Sequence, residues 1–341
     1  MENLRIVVIG CGDHANRFIY PGLAALPRCD LAAVCALDAD QAERTRLRHG
    51  ALRAYTDYQR MMETERPAAA VIVGPPRLHY EAGRHCLERG VPFFIEKPPG
   101  ENLEQARELA DLARRLGGRG QVGFMMRHSA VAAEIRTLAE AEGLDRPRYG
   151  VVKYFTSGPY REDEVYGLVG TDDDAFLWRY LLVQAVHPVN LAASFLDGVV
   201  SIRPQVRFAG ENLMVEIALD DRHGARMLVL LHTFVAPGYG NLRFETELYY
   251  DARAMLYADA FSALTYYPAR PPARYLADSD GYAVHWRYAT FGDDSRKMGF
   301  ATELEVFLNA VRGGAPAATD LDDAAETMRI LTETHQMALQ G

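Results

Sequence analysis

Gly10-Cys11-Gly12-Asp13-His14-Ala15 stands directly behind the apolar run Ile6-Val-Val-Ile9. The spacing is G-x-G-x-x-A, and its position between a short buried strand and a helix gives it a chemistry. Gly10 permits a tight turn, Gly12 lets the backbone approach a pyrophosphate, and Ala15 lets helix and strand pack closely, with the helix N-terminus facing negative charge. Cys11, Asp13 and His14 complete this cradle for a dinucleotide. Where such folds place an acid against the ribose hydroxyls, at the end of the second strand, this chain has Ala36, followed by Leu37 and Asp38. Asp38 is either a ribose contact or the N-cap of the next helix. Without an acid at position 36 to repel a 2′-phosphate, the cofactor is NAD or NADP, leaning slightly to NADP, with Arg44 or Arg46 as the phosphate partner.

Other chemistry-bearing residues lie at the carboxyl ends of apolar runs, where α/β sheets hold ligands. Gly74-Pro75-Pro76 breaks the third run sharply and walls the crevice. His79, near a helix start, is read as structural, with cofactor contact as the alternative. Glu96-Lys97-Pro98 closes the fourth run, and a lysine there points into the ligand crevice. Farther on, Val183, His187 and Asn190 recur at i, i+4 and i+7, one helix face. Taken alone, a histidine on an apolar helix is more often a packed core residue than a catalyst. Lys153, Trp178 and Arg179 are candidate substrate contacts by position, or structural residues. The chain has no HExxH and no G-x-S-x-G, and Asp172-Asp-Asp174 reads as a solvated loop, because three consecutive carboxylates cannot all face one ion. No metal is expected.

The elements that must carry these residues follow from hydrophobic period. Up to residue 125, apolar strands (5–9, 31–36, 69–73, 92–95, 121–124) alternate with helices (14–26, 39–48, 79–88, 103–116), which means a parallel sheet covered on both faces. Beyond Met126 a helix (130–142), a strand (148–155) and an apolar helix (181–196) precede strands near 204–208, 213–219, 226–235, 242–250 and 255–257. Asp221-Arg-His-Gly224 is a hairpin turn, residues 266–272 a Pro-rich loop, and 322–339 a final helix. The expected fold is α/β: a doubly wound dinucleotide-binding domain over 1–125, and a second domain over 126–341 with a large, mainly antiparallel sheet.

Bulk properties narrow the function. The 341 residues are 49% hydrophobic and 24% charged with a net charge of −9, so nucleic acid is not an expected partner. Nothing approaches a membrane span or a signal peptide, and four cysteines without a CxxC pair read as reduced thiols, which points to the cytoplasm.

Residues 6–98, Gly123-Phe-Met-Met-Arg127, Leu181-Leu-Val-Gln-Ala-Val-His187-Pro-Val-Asn190 and Glu303-Leu-Glu-Val-Phe307 together resemble the glucose–fructose oxidoreductase / inositol dehydrogenase (Gfo/Idh/MocA) family. The resemblance implies a Rossmann domain followed by an open-faced sheet domain. It implies hydride transfer between a nicotinamide and a carbonyl or secondary alcohol carbon of a sugar, keto-sugar, sugar nucleotide or cyclitol, and a homodimer or homotetramer through the open sheet. Lys97 matches the family's catalytic lysine and His187 its catalytic histidine. The pattern Asp-x-x-x-His-x-x-Asp is altered at both acids, to Val183 and Asn190. A non-catalytic sensing protein and a reductase of imine-type substrates are the alternatives.

Overall fold

The computed structural model describes residues 3–165, 167–237, 241–251, 254–268, 283–288, 294–316 and 318–340. They form two compact units, one of Met1–Met125 with Gly299–Arg329, the other of Met126–Met298 with Ile330–Gly341.

In the first unit, strands β1 (Leu4–Ile9), β2 (Cys29–Cys35), β3 (Arg53–Tyr55), β4 (Ala69–Ile72), β5 (Phe93–Glu96) and β6 (Gly120–Gly123) make one parallel sheet in the order β3-β2-β1-β4-β5-β6. β4 and β5 are buried at every position, as a sheet covered on both faces demands. The order reverses beside β1, so the crevice for a ligand opens at the carboxyl ends of β1 and β4. The helices are α1 (Tyr20–Ala24), α2 (Ala39–His49), α3 (Tyr58–Glu65), α4 (Pro76–Glu88) and α5 (Leu103–Leu116). β3 and α3 lie in a stretch that hydrophobic period leaves unassigned. Buried Glu65 ties them to β1 by accepting from Arg5, Arg53 and Tyr55. Burial pushes its carboxyl up, but the Tyr55 hydroxyl and the two guanidiniums outweigh that and hold it below the usual range. The four cysteines are free; burial drives the Cys35 and Cys86 thiols up to about 12, leaving them inert near neutral pH.

The second unit contributes α6 (Ala130–Ala141), β7 (Tyr149–Phe155), α7 (Asp173–Tyr180), α8 (Val186–Ser194), β8 (Ser201–Ala209), β9 (Asn212–Asp220), β10 (Arg226–His232), β11 (Arg243–Tyr249), β12 (Met255–Asp259), β13 (Ala263–Tyr267), β14 (Val284–Arg287) and α9 (Asp294–Met298). Its eight strands run β14-β13-β12-β11-β7-β10-β9-β8, antiparallel except for the central β7–β10 pair. Tyr266 and Tyr267 thus belong to a strand rather than to the expected loop, whose residues 269–272 lie outside the described ones. The 221–224 turn is built as expected, with Asp221 accepting from His223 N and Ala225 N and Gly224 at φ +78°. Helix α8 packs on β7 and β10. Burial alternates along the strands with period two, so that Leu228 and Leu230 stay half-exposed while Met227, Val229 and Leu231 are buried.

Assigning 126–341 to one domain needs correction. Helix α10 (Phe300–Val311) and the start of α11 (Leu321–Ala338) belong to the first unit. The cause is apolar: Leu304, Phe307 and Leu308 are buried in one cluster with Ile6, Val8, Ile19 and Phe94.

Candidate active site

Gly10 has φ +123°, and a Cβ there would lie 1.8 Å from the Val73 carbonyl oxygen, so only glycine fits this crossing of β1 onto β4. A Cβ at Gly12 would meet no atom within 4 Å; the space over the turn is open, as a pyrophosphate approaching the backbone requires. The loop is held from behind. Tyr20 Oη donates to Gly10 O at 2.9 Å, and Asn16 Nδ2 donates to Cys11 O at 2.8 Å and Gly12 O at 2.9 Å. Ala15 is fully buried, while Asp13 is exposed and paired with Arg17. The helix starts with a wide i→i+5 turn over Ala15–Ile19 just before Pro21, whose missing N–H and ring disfavour a regular α-turn there.

Around the second strand, Asp38 is a helix cap: its side chain accepts from Gln41 N at 2.7 Å. Ala36 N donates to Tyr55 O, Leu37 is 97% exposed, and Arg46 is engaged by Glu43, which leaves exposed Arg44 as the phosphate candidate of the two. At the third strand, Pro75 caps and Pro76 opens α4, as a strand-breaking pair should. His79 is not placed to touch a cofactor. It is fully buried, Nε2 3.0 Å from Gly74 N and Nδ1 2.8 Å from Pro98 O, because α4 aims it inward between two turns.

The fourth strand ends in buried Glu96, half-buried Lys97 and Pro98, with a cis Lys97–Pro98 bond. Glu96 Oε1 lies 3.2 Å from His14 Nε2, so the glycine loop and the lysine turn are joined side chain to side chain. Behind them, fully buried Glu303 on α10 has its carboxyl pushed well above the usual carboxylate range, by burial first and by the charge of Glu96 second. Sequence reasoning missed Glu303; its signal was a glutamate on the apolar stripe of a helix.

In the second unit, α7 and α8 are parts of one helical run joined by another i→i+5 turn, Leu181–Ala185, again just before a proline, Pro188. Such wide turns often mark functional segments. Val183 and Gln184 in this turn and His187 after it are half-exposed, whereas Asn190 is buried and offers nothing to an entering substrate. Tyr154 Oη donates to Gln184 Oε1 at 3.2 Å. Tyr154, Val183 and Gln184, but not His187, line a cleft of about 320 Å³ together with Thr156, Ser157 and Asp163.

Three of the candidate substrate contacts have partners within the fold. Lys153 bonds Glu247 at 2.7 Å and Glu245 at 3.1 Å across two strands; strand alternation turns it to the face opposite Tyr154. Trp178 packs on His335, ring centroids 5.1 Å apart. Buried Arg179 donates to the carbonyls of Tyr160, Arg161 and Gly170. Asp172 is likewise no loop residue but the N-cap of α7, accepting from Ala175 N at 2.9 Å. Lys97 stands in the first unit and His187 in the second. What sequence reasoning overlooked here is Tyr154 and Gln184; the alternation of β7 carried the signal, since it puts 154 and not 153 toward the helix.

Residues 4–124 match a family model described as "Oxidoreductase family, NAD-binding Rossmann fold". That match takes in 121 of the 341 residues, and the glycine turn and the Lys97 turn both lie inside it. Among curated proteins, the chain is 34% identical over 114 residues to the D-glucoside 3-dehydrogenase of Escherichia coli, covering 33% of this chain and 32% of that protein. It is 28% identical over 203 residues to the dTDP-3,4-didehydro-2,6-dideoxy-alpha-D-glucose 3-reductase of Streptomyces violaceoruber, covering 60% and 57%. The matched regions thus span from about a third to somewhat over half of these relatives. The fold of the whole chain has a solved counterpart: the crystal structure of a dehydrogenase from Chromobacterium violaceum superposes with a TM-score of 0.89 over 100% of this chain and 96% of that one, at 22% identity. No helix among the described residues is long and apolar enough to cross a membrane.

Proposed function

We propose that this chain is a Gfo/Idh/MocA-family, NAD(P)-dependent oxidoreductase acting on a carbonyl or secondary alcohol carbon of a sugar, keto-sugar, sugar nucleotide or cyclitol. The observation that carries the reading is the pairing of an open glycine turn at the switch point with a half-buried lysine at the end of β5, joined to it through Glu96 and His14. Gly10 to Ala15 would hold the dinucleotide, and Gly74, Pro75 and Pro76 would wall its crevice; when bound, the nicotinamide supplies or takes the hydride. Leu37 carries no charge and Asp38 is used as a cap, which supports a slight lean to NADP, with Arg44 the phosphate partner.

Lys97 donates a hydrogen bond and then a proton to the substrate oxygen, neutralising the charge that develops there. His187 orients the substrate. Val183 gives the imidazole neither a hydrogen-bond acceptor nor a charge one turn away, so His187 is the weaker proton acceptor and reduction is the favoured direction. The half-exposed face of the eight-stranded sheet, with Leu228 and Leu230 beside the Lys153 cluster, supports a homodimer or homotetramer through that face.

Steady-state turnover with NAD(H) and NADP(H) against a panel of sugars, keto-sugars and cyclitols tests the reading; reduction of a keto-sugar is expected. A preference of about a hundredfold or more for NAD(H) would overturn the cofactor lean, since it would mean that Asp38 has taken the acid's role. Val183 also favours a second reading, a sensing protein that binds dinucleotide without turnover. Micromolar binding with no turnover across the panel would establish it.

A further inference from the structure

His79 is wholly enclosed on α4, and the groups it meets fix its chemical state. Its Nε2 lies 3.0 Å from the Gly74 backbone N–H, which can only donate, so Nε2 must accept. Its Nδ1 lies 2.8 Å from the Pro98 carbonyl, which can only accept, so Nδ1 must carry the proton and donate. The ring is therefore the neutral Nδ1–H tautomer, and burial holds its pKa down at about 4, so this state persists at neutral pH. Glu96, Lys97 and His14 also face it, but their charges are of both signs and burial outweighs them.

The two bonds join two turns. One follows β4 and carries Gly74; the other follows β5 and carries Lys97 one residue before the acceptor carbonyl. The first borders the crevice at the carboxyl ends of β1 and β4, and the second stands on the neighbouring strand β5. An apolar side chain of similar volume would fill the space but leave a buried N–H without its acceptor and the Pro98 carbonyl without its donor.

We propose that His79 is a positioning residue for Lys97: by bonding the Gly74 and Pro98 backbones at once, it fixes the turn from which the Lys97 ammonium is presented to the substrate oxygen. This inference rests on the reading of Lys97 as the proton donor, and its test has one arm that needs no turnover.

Lys97 is one of only three lysines in the chain, the others being Lys153 and Lys297. In the purified full-length protein, acetylation of each lysine by acetic anhydride is followed by peptide mass spectrometry, with Lys153 and Lys297 as internal references. His79→Phe removes both bonds, His79→Asn keeps a donor toward Pro98, and His79→Gln keeps an acceptor toward Gly74. The Lys97 rate is expected to change in His79→Phe and His79→Gln beyond the scatter of the two reference lysines, and to stay at the wild-type value in His79→Asn. With substrate present, kcat should fall by about tenfold or more in His79→Phe while KM for the nucleotide changes little, because misplacing a donor costs rate rather than binding. A wild-type Lys97 rate in folded His79→Phe would overturn the proposal. Should His79→Phe fail to fold, equal Lys97 rates in the Asn and Gln variants would overturn it equally. Loss of all turnover in the wild type would sink the oxidoreductase reading but leave the acetylation arm decisive for the clamp.

Discussion

On the proposed reading, the six-stranded sheet of the first unit would meet the dinucleotide mainly with backbone, whereas the second unit would offer side chains to the substrate. In the first unit, a glycine turn with no room for a Cβ at position 10 and open space at position 12 would form the cradle, braced by half-buried Asn16 and buried Tyr20. In the second unit, the strand alternation of β7 and the wide turn before Pro188 decide which residues reach the cleft. A backbone cradle suits a cofactor that never varies, and replaceable side chains suit a substrate that differs from relative to relative. The comparison implies that damage to the first unit removes binding or chemistry outright, while damage to the second tunes it.

The sharpest way to break that comparison is kinetic. Lys97→Ala should lose about 10²–10⁴ in kcat, the usual cost of removing a general acid, and His187→Ala less. A larger loss in His187→Ala, measured in both directions on the true substrate, would reverse the order and give the second unit the chemistry. Binding comes next. Gly12→Val should abolish dinucleotide binding in a fluorescence titration yet leave the thermal midpoint nearly unchanged, since nothing packs within 4 Å of that position. Gly10→Ala should lower the midpoint as well, because its Cβ would collide with Val73 O. Equal midpoints for the two variants would mean that the crossing adapts.

A smaller effect is set by pH. His79 titrates at about 4 when folded against an ordinary 6.5, so between these values the unfolded chain binds a proton that the folded one refuses. Stability is complete above about 6.5 and is lost as the pH falls toward 4, by at most about 3 kcal/mol from this residue. Denaturant melts from neutral to mildly acidic pH should show that decline, and His79→Asn should flatten part of it; His128, buried and held down at about 3, supplies a further part. An unchanged slope in His79→Asn would show that the ring is not held neutral. The least costly change is Lys153→Met, on the half-exposed sheet face. Partly solvated ion pairs contribute only about 0–1 kcal/mol, so the monomer should keep its stability. Sedimentation velocity then reports whether this face joins copies of the chain, with a shift toward monomer expected.

How much of this was legible depended on whether a rule of local geometry applied. The parallel sheet, the cradle at Gly10 and the cap at Asp38 each follow from a pattern a few residues long. Position beside the His187 helix in sequence suggested Lys153, Trp178 and Arg179, but strand parity sends Lys153 to the face opposite Tyr154, and Arg179 donates to three backbone carbonyls. Glu303 reaches Glu96 from more than two hundred residues away in the chain, and no local pattern encodes that meeting. His79 reads from sequence as structural or as a cofactor contact, and its two partners sit in turns whose proximity only the fold creates.

The return of residues 299–329 to the first unit has a consequence for synthesis. A ribosome releases the chain in order, so Ile6, Val8, Ile19 and Phe94 emerge long before Leu304, Phe307 and Leu308 arrive to cover them. The cofactor-binding unit is the first begun and among the last completed, with the entire eight-stranded sheet made in the interval. Its nascent form carries an uncovered apolar patch during that time, a natural place for a chaperone to hold the chain, and a truncation at residue 125 would make that transient exposure permanent.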